Sequence, residues 1–103
     1  MACYTDSVSA RSLSNSVAIA GGASNATIAN CLDSCRAKRY AYCGAEYYNE
    51  CYGANALGSS AAAIGGDPLA AGCSYACSGN KTEACGGSNR ILVYVNNGTV
   101  ARK

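Results

Sequence analysis

The chain has 103 residues, a formal net charge of +2, eight cysteines, and no histidine, tryptophan or phenylalanine. That length fits one domain, and so small a charge singles out neither nucleic acid nor an anionic membrane as a partner. No stretch approaches the roughly 20 apolar residues of a bilayer-spanning helix, so no direct membrane insertion is expected.

Half of the residues count as hydrophobic, but alanine and cysteine inflate that share and large aliphatics are few. A chain this short buries only about two-thirds of its unfolded surface and is marginal without cross-links. Eight thiols read as four disulfides, each restricting the unfolded chain by roughly 2–4 kcal/mol. They also point to an oxidising, secreted or cell-surface location. The N-terminus has no basic start followed by an apolar block, so a mature or excised domain is expected. Sequons at Asn25, Asn80 and Asn97 are compatible with a glycoprotein surface.

In chain order, Ala2–Tyr4 is a short apolar entry and residues 12–26 read as loop. Thr27 then opens the clearest helix, its hydroxyl suited to cap the first turn. Ile28, Cys31, Leu32 and Cys35 follow at i, i+3, i+4, i+7, and the helix is expected to reach Lys38. Arg36, Lys38 and Arg39 mark its solvated C-terminal end. Tyrosine density predicts a strand over 40–47, a turn at Tyr48-Asn49-Glu50 and a returning strand from Cys51. Residues 53–72, rich in Gly and Ala, read as a long surface loop with a helical turn near Ala61–Ile64. Turns follow at Ser78-Gly79-Asn80 and Cys85-Gly86-Gly87. Ile91–Val95 is the strongest strand, and residues 96–103 form a tail after a domain over 1–95. The fold class is α+β: a small antiparallel sheet packed against one main helix.

One ordered string spans most of this chain. It runs Cys3-Tyr4-x-Asp6, Arg11-x-Leu13, Thr27-x3-Cys31-x3-Cys35, then Tyr42-x-Gly44-x-Glu46-Tyr47-x2-Glu50-Cys51-Tyr52. It continues Cys73-x3-Cys77-x-Gly79-Asn80-x2-Glu83-x-Cys85-Gly86-Gly87 and closes on Arg90-x3-Tyr94. This string resembles the WSC domain of fungal cell-wall stress sensors, fungal extracellular enzymes and animal Kremen receptors. The resemblance implies a PAN/apple-like fold and non-catalytic binding of carbohydrate. It also implies the pairs Cys3–Cys73, Cys31–Cys51 and Cys77–Cys85. The family usually has Cys-x-Cys-Gly where this chain has Cys51-Tyr52-Gly53-Ala54. Cys43 appears instead, and the resemblance then leaves it as the displaced partner of Cys35. Spacing alone leaves about a hundred connectivities open.

Tyr42, Tyr47, Tyr48 and Tyr52 crowd one hairpin, and tyrosine offers sugars an apolar face and a polar tip. Tyr42, Tyr4 and Tyr94 are expected in the core, Tyr47 and Tyr48 on a binding surface. Glu46 and Glu50 could form a glycosidase pair, but without histidine or an evident cleft the expectation is no catalysis. One carboxylate would buttress the hairpin and the other accept sugar hydroxyls. Structural zinc prefers knuckles with turn glycines, which Cys31/Cys35 and Cys73/Cys77 lack, and no Cys-x-x-Cys redox motif occurs. No metal or cofactor is expected. Arg11 fits either a family position or an ion pair with Asp6.

The expected site is therefore Glu46, Tyr47, Tyr48, Asn49, Tyr52, Asn89 and Arg90, and the expected ligand a cell-wall polysaccharide such as β-glucan, or glycoprotein glycans. The alternative is a structural, self-associating or protein-binding module of an extracellular surface.

Overall fold

Thr27 sets where the helix begins. Its backbone is extended (φ −135°, ψ 164°), and its hydroxyl accepts a hydrogen bond from the Asn30 N–H. That replaces one of the intrahelical acceptors the first turn lacks. A second comes from the Glu83 carboxylate, which accepts from the Ile28 N–H at 3.0 Å. Helix α1 then runs Ile28–Ala37, with Lys38 as its C-cap. Arg39 turns the chain out of it in the left-handed region (φ 63°). The computed structural model describes residues 2–7, 9–19, 21–59 and 61–95.

The strands are β1 (Ala2–Thr5), β2 (Asn15–Ser16), β3 (Tyr42–Glu46), β4 (Glu50–Ala54), β5 (Ala63–Ile64), β6 (Ala76–Cys77), β7 (Asn80–Ala84) and β8 (Arg90–Val95). Six of them form one sheet in the order β2-β4-β3-β8-β1-β5, and β6 and β7 form a second. Every pairing is antiparallel. Among the described residues, the protein is an α+β, disulfide-rich domain with one α-helix against an antiparallel sheet.

Strand alternation sends side chains to two opposed faces. On the helix side, Cys43 and Cys51 pack with Cys31, Cys35, Val17 and Ile19. On the other side, Ile91, Val93 and Ala54 pack with Leu13, and Tyr4, Tyr42 and Tyr52 close over them. Gly44 belongs to this second face. A Cβ there would fall 2.6 Å from Ile91 Cγ1 and 3.1 Å from Leu13 Cδ1, so only glycine lets Leu13 seat on the sheet.

Four disulfides hold these layers: Cys3–Cys73, Cys31–Cys51, Cys35–Cys43 and Cys77–Cys85. They are the pairs that the resemblance implied. Two of them tie α1 to β3 and β4. Cys3–Cys73 closes the longest loop, 70 residues apart in sequence, and ties β1 to the segment before β6.

Several local expectations differ from the structure. The segment 12–26 carries core residues: Leu13 is fully buried, and Val17 and Ile19 are nearly so. Their apolar side chains are too sparse to show a period, so the segment reads as loop although it packs as core. Ala63–Ile64 pairs with β1 as a strand rather than forming a helical turn. The expected strand from 40 starts at Tyr42, after the Arg39 turn. The hairpin turn lies at residues 47–49, one position earlier than expected, and Glu50 already belongs to β4. The C-terminal tail at 96–103 and the Asn97 sequon lie outside the described residues.

Candidate functional site

The β3–β4 connection is built from an uncommon choice. Tight hairpins favour Asn-Gly or Asp-Gly where φ is positive. Here Tyr47 (φ 53°) and Tyr48 (φ 64°) occupy those positions. A bulky residue in the left-handed region costs roughly 1–2 kcal/mol, so the surroundings must hold it. The Tyr48 N–H donates to Cys85 O at 3.2 Å, and Tyr48 O accepts from the Ser78 N–H at 3.0 Å. The hairpin tip is thereby docked on the second sheet, beside the Cys77–Cys85 bridge. Gly86 makes the docking possible. At φ 79° it passes so close that a Cβ would run into the Ala45 carbonyl oxygen.

Docking brings a third ring to the tip. The Tyr75 N–H donates to Gly86 O, and Tyr75 O accepts from the Cys85 N–H. Its ring lies 5.7 Å from that of Tyr47, at 51°, while Tyr47 and Tyr48 are 5.2 Å apart at 40°. Tyr47, Tyr48 and Tyr75 are 44%, 38% and 39% exposed. They form a faceted aromatic patch on covalently braced backbone.

Beneath the tip lies a buried polar group. Glu46 is only 3% exposed. Arg11 Nη1 donates to Asp6 Oδ2 at 2.6 Å and to Glu46 Oε1 at 3.2 Å. The Ser12 N–H donates to Asp6 Oδ1 at 2.8 Å. Burial pushes the Glu46 carboxyl up to about 9, and its hydrogen bond and charge contact with Asp6 push the same way against Arg11. Burial also acts on Asp6, but there hydrogen bonds with Glu46, Ser12 and Arg11 outweigh it and hold the carboxyl below its usual range. At neutral pH the Glu46 acid therefore donates to the Asp6 carboxylate, and Arg11 neutralises the pair.

This triad also supports Tyr52. The Arg11 guanidinium sits 4.7 Å above the Tyr52 ring, a cation–π contact. The Tyr52 hydroxyl donates to Glu50 Oε1 at 2.8 Å. Burial, followed by the hydrogen bond to Glu50, pushes the phenol up to about 12.

The expected site residues therefore divide. Strand register aligns Glu46 with Ile91 and Thr5 with Arg90, so the 46–50 tip and Asn89-Arg90 share one end of the sheet. Tyr47 and Tyr48 are exposed there, with Asn49 half-buried beside them. Tyr52 is half-buried against the second core face. Glu46 is turned inward onto Arg11, away from the tyrosine patch. Arg90 is committed to backbone, donating from Nε to Ala71 O and from Nη1 to Asn89 O. Arg11 takes the ion-pair role with Asp6. Tyr75 was absent from the expected set, although a tyrosine between two cysteines at Cys73 and Cys77 marked a ring on a tethered segment.

The carboxylates do not form a hydrolytic pair. The Asp6 side chain has no exposure and that of Glu46 only 4%, so no substrate reaches the shared proton. Glu50 is occupied by Tyr52. Among the described residues, the group with metal-ligand spacing is Cys31, Cys35, Cys43 and Cys51, all bonded as disulfides. Of the two described sequons, Asn25 uses Nδ2 to donate to Gly21 O. Asn80 accepts at Oδ1 from the Thr82 N–H and hydroxyl.

A family model described as the WSC domain matches residues 1–87. Two proteins of Arthroderma benhamiae, both named WSC domain-containing protein, are similar to this chain. One is 39% identical over 99 residues and the other 40% over 93, covering 93% and 89% of the chain. The chain spans 10% and 12% of their respective lengths. None of these names denotes a catalytic family. With residues 1–87 inside the match, all eight cysteines among them and paired as four bridges, the chain belongs to the WSC domain family.

Proposed function

We propose that this domain is a non-catalytic, extracellular carbohydrate-binding module that engages fungal-type cell-wall polysaccharide through Tyr47, Tyr48 and Tyr75. The carrying observation is the rigid patch of three exposed rings at the docked hairpin tip. Phenol faces suit the C–H-rich faces of pyranoses, and phenol hydroxyls suit their rims. Asn49 at the patch margin adds orienting hydrogen bonds. Rings tilted by 40° and 51° fit a twisted chain such as a β-glucan better than a flat crystalline face. Four disulfides agree with an oxidising exterior.

Affinity at one site is weak, because sugar hydroxyls exchange water hydrogen bonds for protein ones at little net gain. Useful retention then arises from several modules on one polymer or one chain. The test is co-sedimentation with insoluble β-glucan, xylan, chitin and cellulose. Wild-type protein should be retained on glucan, and Tyr47→Ala, Tyr48→Ala and Tyr75→Ala should each release it. Retention unchanged in all three variants sinks this site. The same exposed rings would also serve a second copy or a protein partner. Concentration-dependent mass by sedimentation, abolished by the same substitutions, would favour that reading.

A further inference from the structure

We propose that Asn80, rather than Asn25, is the acceptor of an N-linked glycan in this domain. The inference rests on the extracellular reading above. The two sequons lie on neighbouring segments, since the Gly79 N–H donates to Ala26 O at 2.8 Å, so location does not separate them. Side-chain geometry does. Asn80-Lys81-Thr82 opens β7, and all three residues are exposed. Among the described residues β7 pairs only with β6, so no strand covers its other edge. Glu83 reaches back to the Ile28 N–H, and strand alternation turns Asn80 and Thr82 to the opposite face. Asn80 Oδ1 accepts from the Thr82 N–H at 3.1 Å and from its hydroxyl at 2.7 Å. This is an Asx turn closed within the sequon itself. It occupies both lone pairs of Oδ1 and leaves Nδ2 without a partner among the described residues.

Asn25 is the reverse case. Its Nδ2 donates to Gly21 O at 3.2 Å and is packed so tightly there that a Cβ on Gly21 would run into it. Its backbone carbonyl accepts from Asn30 Nδ2 at 2.8 Å. Ala26 is buried, and the Thr27 hydroxyl is taken up as the cap of α1. Both arrangements join residues close in sequence, so neither needs the assembled sheet. Transfer to Asn80 takes a lipid-diphosphate-linked oligosaccharide as co-reactant. The bond from Nδ2 to the anomeric carbon forms, and that carbon's bond to the diphosphate oxygen breaks. The diphosphate leaves with the electron pair, and one Nδ2 proton passes to the transferase's base. Hydrogen bonds onto Oδ1 draw electron density from the amide and ease the loss of that proton. The glycan is then rooted two residues from Ser78, whose N–H holds the Tyr48 carbonyl, beside the hairpin tip.

The experiment secretes the full chain from a yeast host behind a cleavable leader, with Asn97→Gln in every variant so that the tail sequon adds nothing. Intact mass is read before and after an amidase that releases N-glycans and converts the acceptor to aspartate. The expected result is one glycan per chain, with the conversion mapped to position 80. Asn25→Gln should keep the glycan. Thr82→Ala should lose it, and Thr82→Ser, which retains the hydroxyl, should keep it. The proposal is overturned by an unmodified chain, or by a glycan at Asn25, alone or together with Asn80. Retention in Thr82→Ala, or loss in Thr82→Ser, overturns it as well. The host forces entry into the secretory pathway, so an unmodified Asn80 refutes the acceptor assignment alone. Co-sedimentation with glucan tests the carbohydrate-binding reading separately.

Discussion

Glu46→Gln is the substitution that isolates the buried proton. The Glu46 acid is raised to about 9 by burial and by Asp6, whereas an unfolded glutamate titrates near 4.3. Between those values the folded protein holds a proton that the unfolded chain has released. Stability therefore falls as pH rises through this window, at up to about 1.4 kcal/mol per pH unit, and levels off above it. Asp6 acts in the opposite sense. Its lowered value gives stability that is present above its ordinary pKa and lost as acid protonates it. The background is quiet in the neutral range, because the chain has no histidine and its cysteines are bonded. Glutamine retains an N–H for Asp6 and an oxygen for Arg11, so Glu46→Gln should fold and lose most of the slope. Urea unfolding with disulfides intact, followed by tyrosine fluorescence from pH 5 to 8.5, reads both proteins. Equal slopes in the two would refute the shared-proton account.

Three further outcomes follow from the packing. Tyr47→Gly and Tyr48→Gly relieve left-handed tyrosine backbone. Each should leave stability unchanged or raise it by about 1 kcal/mol while abolishing glucan retention, and a clear loss of stability would mean the rings support the fold. Gly44→Ala drives a methyl toward Ile91 and Leu13 and should lower stability by about 1–3 kcal/mol in denaturant unfolding. Removing Cys3–Cys73 by double serine substitution opens a 70-residue loop and should cost about 4 kcal/mol. The same change at Cys77–Cys85, with a separation of 8, should cost about 2.5 kcal/mol, and reversal of that order would contradict the loop-entropy account.

Legibility in the sequence followed the strength of local signals. The helix was readable because Thr27 is a capping residue and four apolar positions repeat with helical spacing. β8 was readable because Ile91–Val95 is an unbroken apolar run. Leu13, Val17 and Ile19 were not, since each is isolated among Ser, Ala and Asn. Their burial depends on a sheet assembled from distant strands. Cysteine spacing alone left the connectivity open, because any bridge that brings α1 onto a sheet satisfies it.

The site shows the same division between local and long-range information. Crowded tyrosines at 47 and 48 advertised a surface, since two phenols at a hairpin tip have little core within reach. Glu46 could not be separated from them by sequence, because its inward direction depends on Arg11, 35 residues away. Nor could the turn register, which is set by docking rather than by turn chemistry: two tyrosines occupy positions that favour Asn-Gly. Their strained backbone persists because Cys85 and Ser78 each supply a hydrogen bond from a segment closed by its own disulfide. Turn strain, cystine bracing and ring exposure are thus one arrangement. Loosening the Cys77–Cys85 segment should free the tip to relax, and the aromatic patch would disperse before the main sheet unfolds.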